Sequence, residues 1–124
     1  MALRVVRLGS GRAKGEGLRL GTVRRPPRGV RKADYARRNF YDLWLPGLAP
    51  SAKLIARAHR DWNGFAKAYR REMAAPAAER LLELLARLSR HANFSVGCYC
   101  EREERCHRSV LRKLLVESGA RIAR

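Results

Sequence analysis

The chain has 124 residues, 46% of them hydrophobic, which predicts one globular domain and excludes two separate cores. Its 28 Lys and Arg residues against 11 Asp and Glu give a formal net charge of +17. No run approaches the ~18 apolar residues of a membrane span, and residues 1–9 lack the apolar segment of a secretion signal, so we expect a cytoplasmic protein. Because its three cysteines are odd in number, we expect no disulfide framework.

The basic charge is concentrated toward the start of the chain, where residues 1–38 contain twelve Lys or Arg and only two acidic residues. Such a surface attracts polyanions at long range, and nucleic acid is the commonest polyanion in a cytoplasm. Only five of the 28 cations are Lys, however, so a general bias toward arginine also accounts for the surplus. No helix-turn-helix, zinc-finger or aromatic RNA-binding motif decides between these two interpretations.

The first predicted elements are two strands, over residues 5–8 and 18–23, separated by a glycine-rich loop. Residues 9–17 have glycine at positions 9, 11, 15 and 17, which predicts a flexible loop. The spacing misses G-x-G-x-x-G and no apolar helix follows it, which excludes a dinucleotide fingerprint. The two prolines of RPPRG, residues 25–29, end the second strand.

The middle of the chain predicts a short buried strand and three helices. The strand, FYDLWL at residues 40–45, ends at Pro46, and Ser51 is the expected N-cap of a helix that reaches about His59. Two further helices begin at Asp61 and Pro76. Their apolar stripes are Trp62, Phe65, Ala66, Tyr69 and Met73 for the second helix, and Leu81, Leu84, Leu85 and Leu88 for the third.

A strand at residues 94–100 and a helix at residues 106–118, closed by Gly119, complete the chain. Strands separated by helices predict an α/β fold, a single compact layered domain over residues 1–124 with a small, mainly parallel sheet flanked by helices. Such sheets bind ligands at the carboxyl ends of their strands. The loops at residues 25–29 and 98–108 are expected there, and they are the candidate functional segments.

The second of these loops, within GCYCEREERCHRSVL, contains all three cysteines beside a histidine. Cys98, Cys100, Cys106 and His107 have the spacing C-x-C-x5-C-H, and tetrahedral zinc accepts three thiolates and one imidazole. The usual spacing is C-x2-4-C, and adjacent helical residues such as Cys106 and His107 diverge by about 100°. We therefore predict no metal, and keep a structural zinc site as an alternative.

A reactive thiol is the second interpretation of the same segment. If a helix begins near Cys106, its dipole and the neighbouring Arg105 and Arg108 favour the thiolate, and His107 can carry the proton. Packing is the competing interpretation, since cysteines on an apolar strand are usually core residues. It applies most strongly to Cys98 and Cys100, and it also fits Cys106, four residues before Val110.

Anion binding is the third interpretation. A helix N-terminus with His107 and Arg108 in its first turn suits a phosphate or a carboxylate. Arginines of the proline-stiffened loop complement it, because guanidinium groups match phosphate oxygens in pairs. These are Arg24, Arg25 and Arg28, with Arg31 just beyond, although a salt bridge between Arg28 and Asp42 is an equal alternative. Four aromatic residues can stack on bases, but their spacing is more typical of core positions; they are Tyr41, Trp44, Trp62 and Tyr69.

Four motifs in this order resemble the DUF488 family of small bacterial and archaeal proteins, similar to the YeaO group. They are PRG at residues 27–29, DLWLPGLAPS at 42–51, W-x2-F-x3-Y-x2-E from Trp62, and CHRSVL from Cys106. The resemblance covers residues 19–115 and implies a compact α/β fold with a site around Arg24, Arg28 and residues 106–108. Where the family commonly reads D-R-x-W-P-R-G, this chain has Val23 and Pro26 in place of the acid and the tryptophan.

We therefore expect a protein that binds a phosphate-bearing ligand, either nucleic acid or a phosphorylated small molecule such as a nucleotide, and that carries no cofactor. The predicted binding residues are Arg24, Arg28, Arg31, His107 and Arg108. The alternative is a cysteine-dependent enzyme for a small molecule, with Cys106 and His107 as catalytic residues.

Overall fold

Four short strands form one sheet in the computed structural model, which describes residues 1–123. They are β1 (Leu3–Arg7), β2 (Leu18–Gly21), β3 (Leu43–Trp44) and β4 (Phe94–Cys98). Their spatial order is β1-β4-β2-β3, and all three pairings are parallel. With the helices that connect the strands, this confirms the predicted α/β fold with a parallel sheet.

Strand β4 is the centre of the sheet and is buried along its whole length. A strand covered on both faces needs apolar or small side chains throughout, as in FSVGC. Gly97 permits the closest approach, because a Cβ there would lie 2.6 Å from Leu8 Cδ2 and 2.8 Å from the Val6 carbonyl oxygen. Any larger residue at position 97 would therefore push β1 away from β4.

The helices are α1 (Ala52–Ile55), α2 (Trp62–Met73), α3 (Pro76–Leu88) and α4 (His107–Glu117). Ser51 caps α1 as predicted, its side chain accepting from Leu54 N. The helix ends at Ile55 rather than near His59, because the chain turns toward Asp61, whose carboxylate caps α2 through Gly64 N. None of the helices in residues 1–123 is long and apolar enough to cross a membrane.

Helix α2 buries the predicted stripe, whereas α3 buries only part of its own. Phe65, Tyr69 and Met73 are buried on α2. On α3, Leu84 and Leu88 are 52% and 40% exposed. The buried residues of α3 are Ala78, Leu82, Leu85 and Ala86. Half of the predicted stripe is confirmed, since Leu85 is buried and Leu81 packs against the core. The prediction was wrong for Leu84 and Leu88, because Leu82 and two alanines occupy the packed face in their place.

The predicted strand at residues 40–45 is reduced to the two residues of β3, at the edge of the sheet. Leu43 and Trp44 are exposed, so the expected burial of this strand was wrong. Asp42 stops the strand from extending toward its amino end, because its carboxylate accepts from Arg12 and from the backbone N–H of Arg19. The Trp44 indole donates to the Val23 carbonyl at 2.7 Å, which fixes this edge against the end of β2.

The glycine-rich loop at residues 9–17 surrounds a buried ion pair. Arg19 is 0% exposed and its Nε lies 2.8 Å from Glu16 Oε2. The Arg19 guanidinium also donates to the Ser10 carbonyl, and Glu16 accepts from Ser95 Oγ at 2.6 Å. The loop that was expected to be flexible is thus anchored by hydrogen bonds that no glycine spacing can reveal.

The two ends of the described chain lie together at the amino end of β1. Leu3 N donates to the Arg121 carbonyl at 2.8 Å, and Ala123 N donates to the Leu3 carbonyl at 2.7 Å. Leu3 also pairs in parallel with Ile122. Arg121 N donates to Ser89 Oγ at 2.8 Å, which ties the same segment to the end of α3.

Candidate functional site

A cavity of about 460 Å³ lies at the carboxyl ends of β2 and β4. The parallel sheet brings these two ends together, and α4 begins beside them, so the cavity occupies the place where α/β proteins bind ligands. Its polar and sulfur-containing lining comes from Arg24, Arg25, His59, Cys98, Tyr99, Cys100, Arg105, Cys106 and His107. Apolar residues of the α1 region and Phe65 of α2 complete the wall.

All three cysteines line this cavity, and their sulfur atoms lie within 4.8 Å of one another. Cys98 is the last residue of β4, and Cys100 follows two residues later on the same side of the chain, so their Sγ atoms are 3.6 Å apart. Cys106 reaches the cluster from the start of α4. The C-x-C-x5-C spacing therefore folds into one three-sulfur cluster.

Cys106 is the N-cap of α4, one position before the first turn in which it was expected. Its backbone is extended (φ −124°, ψ 150°), and its Sγ accepts from Arg108 N at 3.5 Å. Unpaired N–H groups at a helix start carry partial positive charge, which favours a negative sulfur. Cys106 Sγ therefore faces the positive end of α4 from a buried position, with 2% of the residue exposed.

His107 connects this thiol to the end of β2. Its Nε2 lies 2.7 Å from the Thr22 carbonyl oxygen, and because a carbonyl only accepts, we assign the ring proton to Nε2. Nδ1 is then an acceptor, 3.8 Å from Cys106 Sγ. The imidazole also packs edge-on against Tyr69, at 5.5 Å between ring centres. Thr22, which sequence reasoning missed, acts through its backbone and so left no side-chain signal.

Arg108 is a buried cation without a carboxylate partner. The residue is 4% exposed, its Nη2 donates to the Cys100 carbonyl at 2.6 Å, and its Nε has no hydrogen-bond partner in residues 1–123. No ion pair joins it to any acidic side chain of the described chain. Since a buried charge requires compensation, the adjacent sulfur cluster is the natural source of the negative charge.

Cys100 is the exposed member of the cluster, so its expected packing role was wrong; β4 ends at Cys98, and Cys100 lies beyond the sheet. Hydrogen bonds from Cys106 and Cys98 lower the pKa of Cys100 to about 3 against the opposing effect of burial, and the charge of Arg108 lowers it further. The pKa of Cys98 is raised, because its thiol donates to Cys100 at 3.6 Å and is buried. Of these two thiols, Cys100 is therefore the one that favours the thiolate.

The predicted anion-binding arginines are separated in the structure. Arg24 lines the cavity, but its guanidinium donates to the carbonyls of Pro50 and Ala49 and so fixes the wall. Arg28 and Arg31 are exposed and do not line the cavity, and Arg31 pairs with Asp34 at 3.1 Å.

The salt bridge considered between Arg28 and Asp42 does not form, since Asp42 pairs with Arg12 at 2.8 Å. Arg25 and Arg105 are the cavity residues that extend free charge toward solvent, since both are exposed and have no ion pair in the described chain. His59 lines the cavity as well. Sequence reasoning placed it only at a helix end, and no motif singled it out.

Most of the aromatic residues considered for base stacking are part of the core. Tyr41 and Tyr69 are buried, and Trp62 is half-buried and stacks on Phe65 at 5.2 Å between ring centres. Trp44 is exposed but hydrogen-bonded to the backbone. None of these four lines the cavity.

The three sulfurs also form a donor set that a thiophilic metal ion can use. His107 does not join them as a fourth ligand, because one ring nitrogen is bonded to the Thr22 carbonyl and the other faces Cys106. The Cys3His zinc site considered from the sequence is therefore reduced to three thiols. The absence of a bound metal remains a prediction.

Comparison with known proteins identifies one family. The model of DUF488-N3a, described as the active DUF488-N3 subclade, matches residues 3–119. The match confirms the resemblance drawn from the motifs and extends it over β1 and the glycine-rich loop. No curated protein and no solved structure matches the chain.

Proposed function

The chain belongs to the DUF488-N3a family, and from this premise we propose that it is a cysteine-dependent enzyme acting on a small anionic substrate. Cys106 is the nucleophile and His107 the general acid and base. The observation that carries the proposal is the series Cys106 Sγ, His107 Nδ1, His107 Nε2 and Thr22 carbonyl oxygen at the cavity wall. A thiol, a base and a group that orients the base form the arrangement that activates a nucleophile.

The reaction that this geometry supports is a displacement through a covalent intermediate. The Cys106 thiol gives its proton to His107 Nδ1, and the sulfur forms a bond with an electrophilic carbon of the substrate. The bond from that carbon to the leaving group breaks, and His107 returns the proton to the leaving group. Water gives a proton to His107 and its oxygen forms a bond with the same carbon. The sulfur–carbon bond then breaks, and His107 returns the proton to Cys106 Sγ, which restores the thiol. The Thr22 carbonyl holds Nε2–H throughout and stabilises the charged imidazole.

The substrate is a small molecule with a phosphate or carboxylate group. The cavity volume of about 460 Å³ suits a small ligand, and its apolar side is formed by α1 residues such as Ile55. The cationic side chains at its rim, Arg25 and Arg105, match an anionic group. In a phosphorylated small molecule such as a nucleotide, the phosphate matches the arginines at the rim and the less polar part matches the apolar side of the cavity.

The test is covalent capture at the cysteine peptide. The protein is incubated with nitrophenyl esters that carry, or lack, a phosphate or carboxylate group, and the adduct is located by mass spectrometry. We expect an adduct on Cys106, faster with the anionic esters. Cys106→Ser should abolish it, and His107→Asn should slow it by about 100-fold or more. His91→Asn is the matched control, since His91 is exposed and outside the cavity. An unchanged rate in His107→Asn would refute the proposal.

A second candidate function, binding of nucleic acid, is favoured by exposed cations in the segment that follows β2. Arg25, Arg28, Lys32 and Arg38 are exposed, and none of them forms an ion pair among residues 1–123. They lie in one segment, residues 25–38, which follows the end of β2 and so gathers four such charges within a short length of chain. A phosphate backbone is the polyanion that such a surface attracts.

Binding of a labelled single-stranded oligonucleotide measures this function. Affinity should fall steeply with salt, and the double variant Arg28→Ala/Lys32→Ala should reduce the slope of log affinity against log salt by about 1 for each phosphate that the protein no longer neutralises. Arg80→Ala/Arg87→Ala removes the same charge from α3 and is the matched control. Equal reductions in the two double variants would show that only net charge attracts the oligonucleotide.

A further inference from the structure

Cys100 combines three features that the proposed reaction does not use. It is the exposed cysteine of the cluster, and the thiol of Cys98 lies 3.6 Å from its sulfur. The buried guanidinium of Arg108 bonds to the Cys100 carbonyl and has no carboxylate partner in the described chain. An accessible sulfur, a fixed positive charge and an adjacent second thiol are the features of cysteines that react with peroxides.

Arg108 places a buried positive charge beside this turn, because its guanidinium donates to the Cys100 carbonyl, and such a charge favours a thiolate at the exposed sulfur. Cys98 is buried at the end of β4 and its thiol donates to Cys100 Sγ at 3.6 Å, so it is placed to act second. The pair therefore has one nucleophilic and one resolving member, in contact before any reaction begins.

We propose that Cys100 is a site of reversible oxidation, which reacts with hydroperoxides and then closes a disulfide with Cys98. The inference is independent of the proposed enzymatic reaction, because it requires neither Cys106 as a nucleophile nor His107 as a base. Its oxidant is hydrogen peroxide or an organic hydroperoxide, and its reductant is a low-molecular-weight thiol.

The oxidation occurs in two balanced steps. The Cys100 thiolate attacks the terminal oxygen of the hydroperoxide, so that an S–O bond forms and the O–O bond breaks. The alkoxide takes up a proton and leaves as an alcohol, or as water when the oxidant is hydrogen peroxide. Cys98 then loses its proton and attacks the Cys100 sulfur; the S–S bond forms, and hydroxide leaves with the proton as water. Two molecules of a small thiol reduce the disulfide and are themselves joined as a disulfide.

The positions of the three cysteines along the chain allow a tryptic digest to show which two of them have formed a disulfide. Trypsin cleaves after Arg90 and Arg102, so Cys98 and Cys100 lie in one peptide, whereas Cys106 lies in the short peptide that follows Arg105. A disulfide between Cys98 and Cys100 leaves one peptide lighter by two hydrogen atoms and resistant to alkylation. A disulfide that includes Cys106 joins two peptides.

The experiment treats reduced, reductant-free protein with one equivalent of hydrogen peroxide, after its metal content has been measured. We expect the single-peptide disulfide, its reversal by glutathione, and unchanged formation in Cys106→Ser. Cys98→Ser should stop at a sulfenic acid that dimedone traps on Cys100. Cys100→Ser should lower the rate of thiol loss by at least tenfold, with its circular dichroism compared with that of the wild type.

Three outcomes would overturn the proposal. One is thiol loss in folded Cys100→Ser at the wild-type rate, and another is a peptide map that joins Cys106 to either partner. The third is a stoichiometric metal ion whose removal is needed before any cysteine reacts, since the three sulfurs would then be its ligands. The peptide map of the wild-type protein decides the matter even if a variant fails to fold.

Discussion

Cys98, Cys100 and Cys106 are the same side chain in three environments. Cys98 ends a buried strand, Cys106 caps a helix, and Cys100 lies in the exposed turn between them. Sequence periodicity assigned Cys98 and Cys100 to one strand, because alternation cannot show where a strand stops. The strand was predicted to end at residue 100 but ends at Cys98, and because of this difference of two residues Cys100 is an exposed thiol of the cavity and not a packing residue.

The low pKa of Cys100 predicts how alkylation depends on pH. Because the pKa is lowered to about 3, the thiolate is present at all pH values above that, and labelling of Cys100 by iodoacetamide should change little between pH 5 and pH 8. An ordinary thiol, with a pKa of about 8.5, would lose more than 100-fold in rate over the same interval. Peptide-resolved mass spectrometry of timed labelling measures it.

Arg108 provides the control for that experiment. Hydrogen bonds from Cys106 and Cys98 lower the pKa of Cys100 most, and the charge of Arg108 adds to them, so Arg108→Met should raise the pH below which labelling of Cys100 falls. Arg105→Met, at the exposed rim of the cavity, should leave the profile unchanged. A wild-type profile that already falls by tenfold per pH unit below pH 8 would contradict the assigned thiolate.

The roles of Arg108 and Thr22 in the candidate site could not be predicted from the sequence. The segment from Cys106 to Arg108 was correctly placed at a helix start beside the sheet, because caps and periodicity are local signals. That Arg108 is buried against the Cys100 carbonyl, and that a Thr22 carbonyl orients His107, depends on contacts between distant segments. Neither side-chain type nor spacing encodes those contacts.

At the scale of elements, the buried face of a helix could be predicted from the sequence for α2 but only in part for α3. In α2 polar residues separate the apolar ones, so Phe65, Tyr69 and Met73 define one stripe and the prediction was confirmed. In α3 leucines occupy several faces, and propensity alone cannot choose among them. Packing against the core selects the face that includes Leu82 and Leu85, which leaves other leucines exposed.

Two neighbouring leucines of α3 test this orientation. Leu85 is 5% exposed and Leu84 is 52% exposed. Leu85→Ala should lower the free energy of unfolding by about 2 to 5 kcal/mol, through lost burial and the cavity that remains. Leu84→Ala should change it by no more than about 0.5 kcal/mol, since alanine favours a helix and little burial is lost. Urea denaturation measures both, and equal losses would mean that the helix is rotated from the orientation described.

At the scale of the molecule, the net charge of +17 overstates the charge available to a partner. Arg19 is neutralised in the interior by Glu16, and Arg12 is paired with Asp42. Arg31 and Arg37 share Asp34. The remaining free cations are a better basis than the total charge for any expectation of binding, because a paired guanidinium attracts a polyanion weakly.

The buried Glu16–Arg19 pair predicts how stability depends on pH. Burial raises the pKa of Glu16, but hydrogen bonds from Arg19 and Ser95 outweigh it and lower the pKa from its ordinary value of 4.5 to about 2. The stabilisation is therefore complete above pH 4.5 and is lost as pH falls toward 2. The loss attributable to Glu16 is about 3 kcal/mol in the free energy of unfolding.

Denaturation in urea across this pH range measures the effect. Glu16→Gln should be less stable at pH 7, by about 3 kcal/mol, because Arg19 loses its buried partner. Its stability should also fall less between pH 4.5 and pH 2 than that of the wild type. Glu83→Gln on α3 is the matched control, with an exposed carboxyl in no ion pair of the described chain. The same acid dependence in both variants would exclude Glu16 as its source.

The pairing of Leu3 with Ile122 makes the molecule suitable for circular permutation. Leu3 exchanges backbone hydrogen bonds with Arg121 and Ala123, on either side of Ile122, so a short glycine-serine linker between Ala123 and Ala2 can close the chain without displacing a strand. New ends can then be opened at Lys14, which is exposed in the glycine-rich loop. A fluorescent or affinity label within that linker lies about one strand length, ~13 Å, from the sulfur cluster, at the end of β1 opposite the cavity.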